Sequence, residues 1–203
     1  FTLTQAIRTR AFWTISIAHG LGATVFVTMS IHIIPALTDI GLSLSTAGIV
    51  VAILSVAAAA SQVVGGFAGD RLPKRPLIFV ALLIQGSSLI FGAIANTFIK
   101  ASIFAVIFGI GQGLRVPLLV SIRGDYFGRK YFATILGASQ LPMNVLMVGF
   151  PVLVGYMFDQ IGNYFLSFLL LSCLSYLSAG LILLAKKPES LPDHHADTSR
   201  QLQ

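Results

Sequence analysis

Gly65-Gly66-Phe67-Ala68-Gly69-Asp70-Arg71-Leu72-Pro73-Lys74-Arg75-Pro76 is the stretch whose reading decides the fold. Its charges, Asp70, Arg71, Lys74 and Arg75, fall in the second half, and long charge-free apolar runs lie on either side. An apolar helix that stops abruptly at Asp-Arg-x-x-Lys-Arg has reached water. Short loops rich in lysine and arginine collect on the cytoplasmic side of a membrane, so this turn orients the whole chain.

Composition makes lipid the principal solvent. Of 203 residues, 10% are charged and 56% apolar, and the mean hydropathy is +0.88; a soluble domain carries about a quarter charged residues. The net charge of +6 does not mark a nucleic-acid binder, because the basic residues sit in loops and form no continuous face for phosphates. The single Cys173 lies in an apolar run, which gives neither a disulfide framework nor metal-ligand spacing. No metal and no cofactor are expected. Phe1–Arg10 is polar and the helix after it is too long for a signal-peptide core. A start at Phe1 rather than Met gives the expectation of a fragment of a longer chain.

A spanning helix needs about 20 mostly apolar residues. Six stretches qualify: Phe12–Leu37, Leu44–Ala68, Leu77–Phe98, Ser102–Ile122, Phe132–Met157 and Tyr164–Ala185. The expected class is therefore an all-α, polytopic membrane protein: a cytoplasmic linker over 1–11, a six-helix bundle over 12–185 and a disordered tail over 186–203. With the Asp70 loop in the cytoplasm, eleven basic residues fall on that side: Arg8, Arg10, Arg71, Lys74, Arg75, Arg123, Arg129, Lys130, Lys186, Lys187 and Arg200. Lys100 alone falls outside, and Arg115 lies within a span. That asymmetry predicts a cell-membrane protein with both termini cytoplasmic. His194-His195 in the tail has no further ligand at metal spacing and reads as a solvated pair.

The loop after the fourth span echoes the first. Gly69-Asp70 is followed by Lys74-Arg75, and Gly124-Asp125 by Arg129-Lys130, at the same spacing. A carboxylate at a helix end followed by basic residues can bridge neighbouring helix termini. The basic residues serve orientation equally well; the two aspartates, which orientation does not need, favour the bridge.

Gly66-x-Ala68-Gly69-Asp70-Arg71-x-Pro73-Lys74-Arg75 resembles the cytoplasmic signature Gly-x-Leu-Ala-Asp-Arg-x-Gly-Arg-Lys of the major facilitator superfamily, with Pro73 in place of the second glycine. His32-Ile33-Ile34-Pro35-Ala36-Leu37 through Gly41, and Asp125-Tyr126-Phe127-Gly128-Arg129-Lys130 followed by Ile135-Leu136-Gly137, resemble segments of its monocarboxylate and oxalate/formate-type members. The start, Phe1 to Trp13, resembles the linker into a C-terminal half. The resemblance implies a twelve-helix carrier of which this chain is one six-helix half, its N-terminal half missing. It also implies a cytoplasmic latch of Gly66, Asp70, Arg71, Lys74, Arg75, Asp125 and Arg129. The first, second, fourth and fifth helices would line the substrate path, with the third and sixth facing lipid.

Polar side chains inside spans follow that rule independently. His19 and His32 lie in span one, Gln62 in two, Gln112 and Arg115 in four, and Gln140 and Asn144 in five. Span three offers only Gln85 beyond serines. Polar groups are disfavoured in lipid unless they face protein or a watery cavity. Arg115 is the sharpest case, because no acid lies at its depth. A small organic anion would supply the partner, since a guanidinium grips carboxylate in a two-point fork. Gln112, at i−3, shares its face. A partner in the other half and snorkelling toward Arg123 remain alternatives. Gln140 and Asn144, spaced i, i+4, line the path or tie helices together. His32, near the outer end, is an interfacial histidine or a gate or proton relay; His19 carries a weaker case for the same. Gly65–Gly69 and Gly109–Gly113 have the spacing of close helix packing.

The expected function is secondary transport of a small organic anion such as a monocarboxylate. Two other classes stand beside it: a half-size membrane protein that self-pairs or serves as a non-transporting subunit, and an intramembrane enzyme. The enzyme lacks Gly-x-Ser-x-Gly and His-Glu-x-x-His motifs.

Overall fold

The computed structural model describes residues 1–188. Among them are α1 (Leu3–Ile7), α2 (Arg10–Asp39), α3 (Leu44–Arg71), α4 (Lys74–Ala93), α5 (Phe98–Phe127), α6 (Phe132–Ile161) and α7 (Phe165–Leu184), with no strand. Helices α2 to α7 are each long and apolar enough to cross a membrane, in keeping with the six expected runs. The expected tail continues past Pro188, so the His194-His195 pair lies outside the described residues.

The helix ends depart from the apolar runs in several places. The third run, expected to reach Phe98, stops at Ala93, and Thr97 instead caps α5 by accepting from the Lys100 amide. The N-terminal segment read as a linker begins with α1, closed by a capping box between Thr2 and Gln5. Helix α5 continues past Ile122 to Phe127. Its 30 residues extend about 45 Å, longer than the roughly 30 Å hydrocarbon core. Arg123, expected in a cytoplasmic loop, is therefore inside a helix, and Arg115 is not the one charge within a span.

The helices pack in an arc ordered α3–α5–α4–α7–α2–α6, each touching chiefly its two neighbours. Missing side chains let α5 sit deep between α3 and α4. A Cβ at Gly109 would lie 2.6 Å from the Leu54 carbonyl of α3, and one at Gly113 would overlap the Ala58 carbonyl. On the opposite side, a Cβ at Gly111 would lie 2.7 Å from the Gln85 backbone nitrogen of α4. The glycine spacing thus serves helix packing. Three serines of α7 donate to backbone carbonyls across the next interfaces: Ser172 to Gly86 at 2.8 Å, Ser175 to Leu82 at 2.9 Å and Ser178 to Ala18 at 2.6 Å. Such bonds contribute about 0.6 kcal/mol each in a bilayer. Helices α3 and α6, at the ends of the arc, are largely exposed.

The core holds three apolar clusters: a small one of Ala6, Ala11, Phe12, Phe127 and Ile135, and two larger ones with a polar layer between them. Toward Asp39 lie Val25, Leu54, Leu89, Phe104 and Phe108; toward Asp70 lie Ile15, Ala18, Leu82, Leu118, Leu119 and Ile122. On three helices, polar side chains and a glycine lie buried between these clusters: His19 and Gly22 on α2, Gln85 on α4, Gln112 and Arg115 on α5.

Candidate functional site

Arg115 sits in this layer, 1% exposed. Its Nη2 donates to Gln112 Oε1 at 2.5 Å, and Gln85 Nε2 donates to the same oxygen at 3.3 Å. The guanidinium lies between α2 and α4 because position 22 has no side chain: a Cβ on Gly22 would stand 2.9 Å from Arg115 Nη1. Three polar atoms in the cluster are buried without a partner, namely Arg115 Nε, Arg115 Nη1 and Gln85 Oε1. Asp39 and Asp159 stand at one end of the bundle, Asp70 and Asp125 at the other, and the one ion pair among the described residues is Lys74–Asp125. Among the described residues Arg115 therefore has no acidic partner, and its position is not lipid-facing. The guanidinium points into the six-helix interior, toward α2 and α4.

Two neighbours were not expected here. Gln85 reaches the site from α4, the helix assigned to the lipid side; its being the one strongly polar side chain of that span is the signal that marks it. Arg123, two turns along α5, is 2% exposed. Its Nη1 donates to the Leu119 carbonyl, and its Nη2 has no partner. His19 is also buried, with Nδ1 unpartnered.

The remaining expected residues lie elsewhere. Gln140 is half-buried and Asn144 exposed on α6, and no hydrogen bond joins them to the Arg115 cluster. Gln62 is exposed on α3. His32 makes a tether at the Asp39 end. Its Nε2 lies 3.0 Å from the Pro151 carbonyl of α6, so that nitrogen carries the proton, and its Nδ1 faces the Tyr164 hydroxyl at 3.5 Å. Tyr164 stacks on Phe158 with ring centroids 4.4 Å apart. Burial, reinforced by Asp39 and Asp159, pushes the Tyr164 phenol above its ordinary range.

At the Asp70 end the two echoed motifs meet. Lys74 Nζ of the first lies 2.6 Å from Asp125 Oδ2 of the second. A cleft of about 470 Å³ beside this pair is lined by Asp70, Ser121, Gly124, Arg129 and Phe132. Asp70, Arg71 and Arg129 are exposed, while Gly66 and Arg75 are half-buried. The bridging role drawn from the spacing is made by Asp125.

Six spanning helices folded around a buried polar layer define a multi-pass membrane protein. Residues 12–202 match the Major Facilitator Superfamily, and the chain belongs to that family. It is 27% identical over 157 residues to monocarboxylate transporter 12-B of Danio rerio, covering 75% of this chain and 33% of the relative. It is 28% identical over 166 residues to the uncharacterized transporter YycB of Bacillus subtilis, covering 78% and 40%. Monocarboxylate transporter 13 of Rattus norvegicus is 24% identical over 156 residues, covering 75% and 36%. The chain thus spans about a third to two-fifths of the length of these curated relatives. The crystal structure of a peptide transporter POT in complex with alafosfalin superposes with a TM-score of 0.74 at 17% identity, covering 94% of this chain and 43% of that one. That likeness shows the shared fold.

Proposed function

We propose that this chain is one six-helix half of a secondary active transporter that moves a small organic anion, such as a monocarboxylate, by alternating access. The observation that carries the reading is the Arg115 guanidinium, buried with two nitrogens unpartnered and no acid beside it among the described residues. An arginine at mid-membrane is disfavoured by about 2.5–3.5 kcal/mol even on insertion scales. A carboxylate entering the layer would offset that penalty through charge-assisted hydrogen bonds. The monocarboxylate transporters among the relatives support the same substrate class.

The exposed ends of the arc, α3 with Gln62 and α6 with Gln140 and Asn144, are where a second six-helix half would close the path. The Asp70 end is the cytoplasmic face of the cell membrane, by the asymmetry of basic residues, so both termini lie inside. There Gly66, Asp70, Arg71, Lys74, Arg75, Asp125 and Arg129 act as the latch, and the Lys74–Asp125 pair holds the ends of α4 and α5 together. The chemistry is translocation, with no covalent step. His32, engaged on both nitrogens, serves as a tether at the outer end rather than a relay.

The test is Arg115→Gln in the intact carrier, with radiolabelled L-lactate uptake and surface expression measured together. Uptake is expected to fall at least 100-fold at unchanged expression. Wild-type uptake would take Arg115 out of the site and remove the basis for an anion substrate.

A further inference from the structure

At the Asp39 end the bundle holds a cavity of about 160 Å³ that is distinct from the Arg115 layer. Four helices meet around it: α2 through Ile33 and Asp39, α4 through Gly92, α5 through Phe104, and α7 with its cap through Phe168 and Tyr164. Its walls therefore all belong to this chain. Phe104 stands about 16 Å along α5 from Arg115, at a rise of about 1.5 Å per residue.

The cavity has an apolar floor and a polar, negative rim. Ile33, Phe104 and Phe168 are buried, whereas Asp39 and Asn163 are exposed. The rim carries one formal charge, the Asp39 carboxylate, and among the described residues no cation pairs with it. Lys100 lies outside the lining, and its ammonium donates to Asn96 Oδ1 at 2.9 Å. Helices α2 and α4 both end at the cavity, at Asp39 and Ala93, and so present the negative ends of their dipoles to it. Helix α7 begins there, but its Phe165 amide already donates to Asn163 Oδ1 at 3.1 Å. The electrostatics thus favour a cation. A hard metal ion takes about six or more oxygen ligands, and the floor supplies no side-chain oxygen. It supplies aromatic rings instead, Phe104 and Phe168, with centroids 5.7 Å apart, and ring faces attract organic cations.

We propose that this cavity is a binding site for a small organic ammonium with an aromatic body. The body packs on the floor against Phe104 and Phe168, and the ammonium stays at the rim, where it donates to the Asp39 carboxylate. The volume is below the roughly 300 Å³ of a drug-sized pocket and suits one ring with a short chain. The apolar floor disfavours a hydrated inorganic ion, and the rim carboxylate disfavours an anion. The site is therefore separate from the cargo proposed for the Arg115 layer, and it does not rest on that reading.

Isothermal titration calorimetry on the solubilised intact protein at neutral pH tests this, with phenethylammonium as probe and 2-phenylethanol as its neutral counterpart. The wild type is expected to bind phenethylammonium saturably and about fivefold more tightly than the alcohol, the scale of an exposed ion pair. Asp39→Asn should weaken phenethylammonium about fivefold and leave the alcohol within twofold. Ala95→Phe, in the loop after α4 and on the cavity wall, fills the space without touching the charge. It should weaken both probes at least fivefold, and it serves as the second handle if Asp39→Asn does not fold. Partition into detergent is common to all three proteins and drops out of the comparison. No saturable binding to the wild type, equal affinity for the two probes, or phenethylammonium binding within twofold of wild type in either folded variant would overturn the site.

Discussion

Gln85→Glu would supply the one group that the Arg115 cluster lacks. Gln85 Nε2 and Arg115 Nη2 donate to the same Gln112 oxygen, at 3.3 and 2.5 Å, and so stand within 5.8 Å of each other. A carboxylate at position 85 would face the guanidinium across that distance. At an effective dielectric of about 20 the attraction is about 3 kcal/mol. The penalty for burying the new charge offsets part of this in the stability of the protein, so the fold should hold. The substrate, however, must now compete with a resident anion for the same guanidinium. A loss of about 3 kcal/mol of attraction corresponds to roughly a hundredfold weaker binding. The assay pairs L-lactate uptake by the intact carrier in liposomes with thermal unfolding of the solubilised protein. The expected outcome is a Tm at or above wild type together with a hundredfold rise in KM. Gln85→Leu is the control: it removes one hydrogen bond, worth about 0.6 kcal/mol, and should change KM less than fivefold. Wild-type KM in a folded Gln85→Glu protein would show that the substrate does not depend on Arg115, and would refute the reasoning.

Gly22→Ala acts on the same guanidinium by shape. Its Cβ, 2.9 Å from Arg115 Nη1, must move that nitrogen about 0.5 Å to reach ordinary 3.4 Å contact. Because the obstacle is the end of a flexible side chain, the stability loss should be near the lower end of overpacking, about 1 kcal/mol, while KM rises about tenfold; thermal unfolding and uptake kinetics read the two apart. For Lys74 and Asp125, whose side chains are 15% and 51% exposed, a double-mutant cycle with Lys74→Met and Asp125→Asn should give a coupling below about 1 kcal/mol that fades with salt. Coupling above 2 kcal/mol would mean that water is far less present at that end than the exposure shows. Ser175→Ala removes the donor to the Leu82 carbonyl, 2.9 Å away. It should lower stability by about 0.6 kcal/mol with uptake unchanged, measured by thermal unfolding.

Six apolar runs and the charges that stop them were enough to read the architecture, because lipid imposes its length and polarity rules on every span separately. What the runs could not convey is how far a helix continues after it leaves the hydrocarbon. Arg123 stands next to Gly124-Asp125 and has the sequence surroundings of a loop residue, yet α5 holds its backbone for another turn and folds the side chain inward. Gln85 escaped for a different reason. Helix-by-helix rules say which span faces lipid, but a helix has two sides, and the inner side of α4 meets α5 where Gly111 removes the obstruction at the Gln85 backbone. The close approach of these two helices lets the Gln85 side chain reach Gln112 and places it one oxygen away from Arg115. Polar residues in a span are thus better weighed by what the small residues of the facing helix allow them to reach than by the span they belong to. Under that rule Gly22, Gly111, Gln85, Gln112 and Arg115 form one layer, because the glycines clear the space that the guanidinium and the two amides occupy. The same rule separates Gln140 and Asn144 from it: they lie on α6, at the far end of the arc from α5, and their i, i+4 spacing describes only a shared face of their own helix.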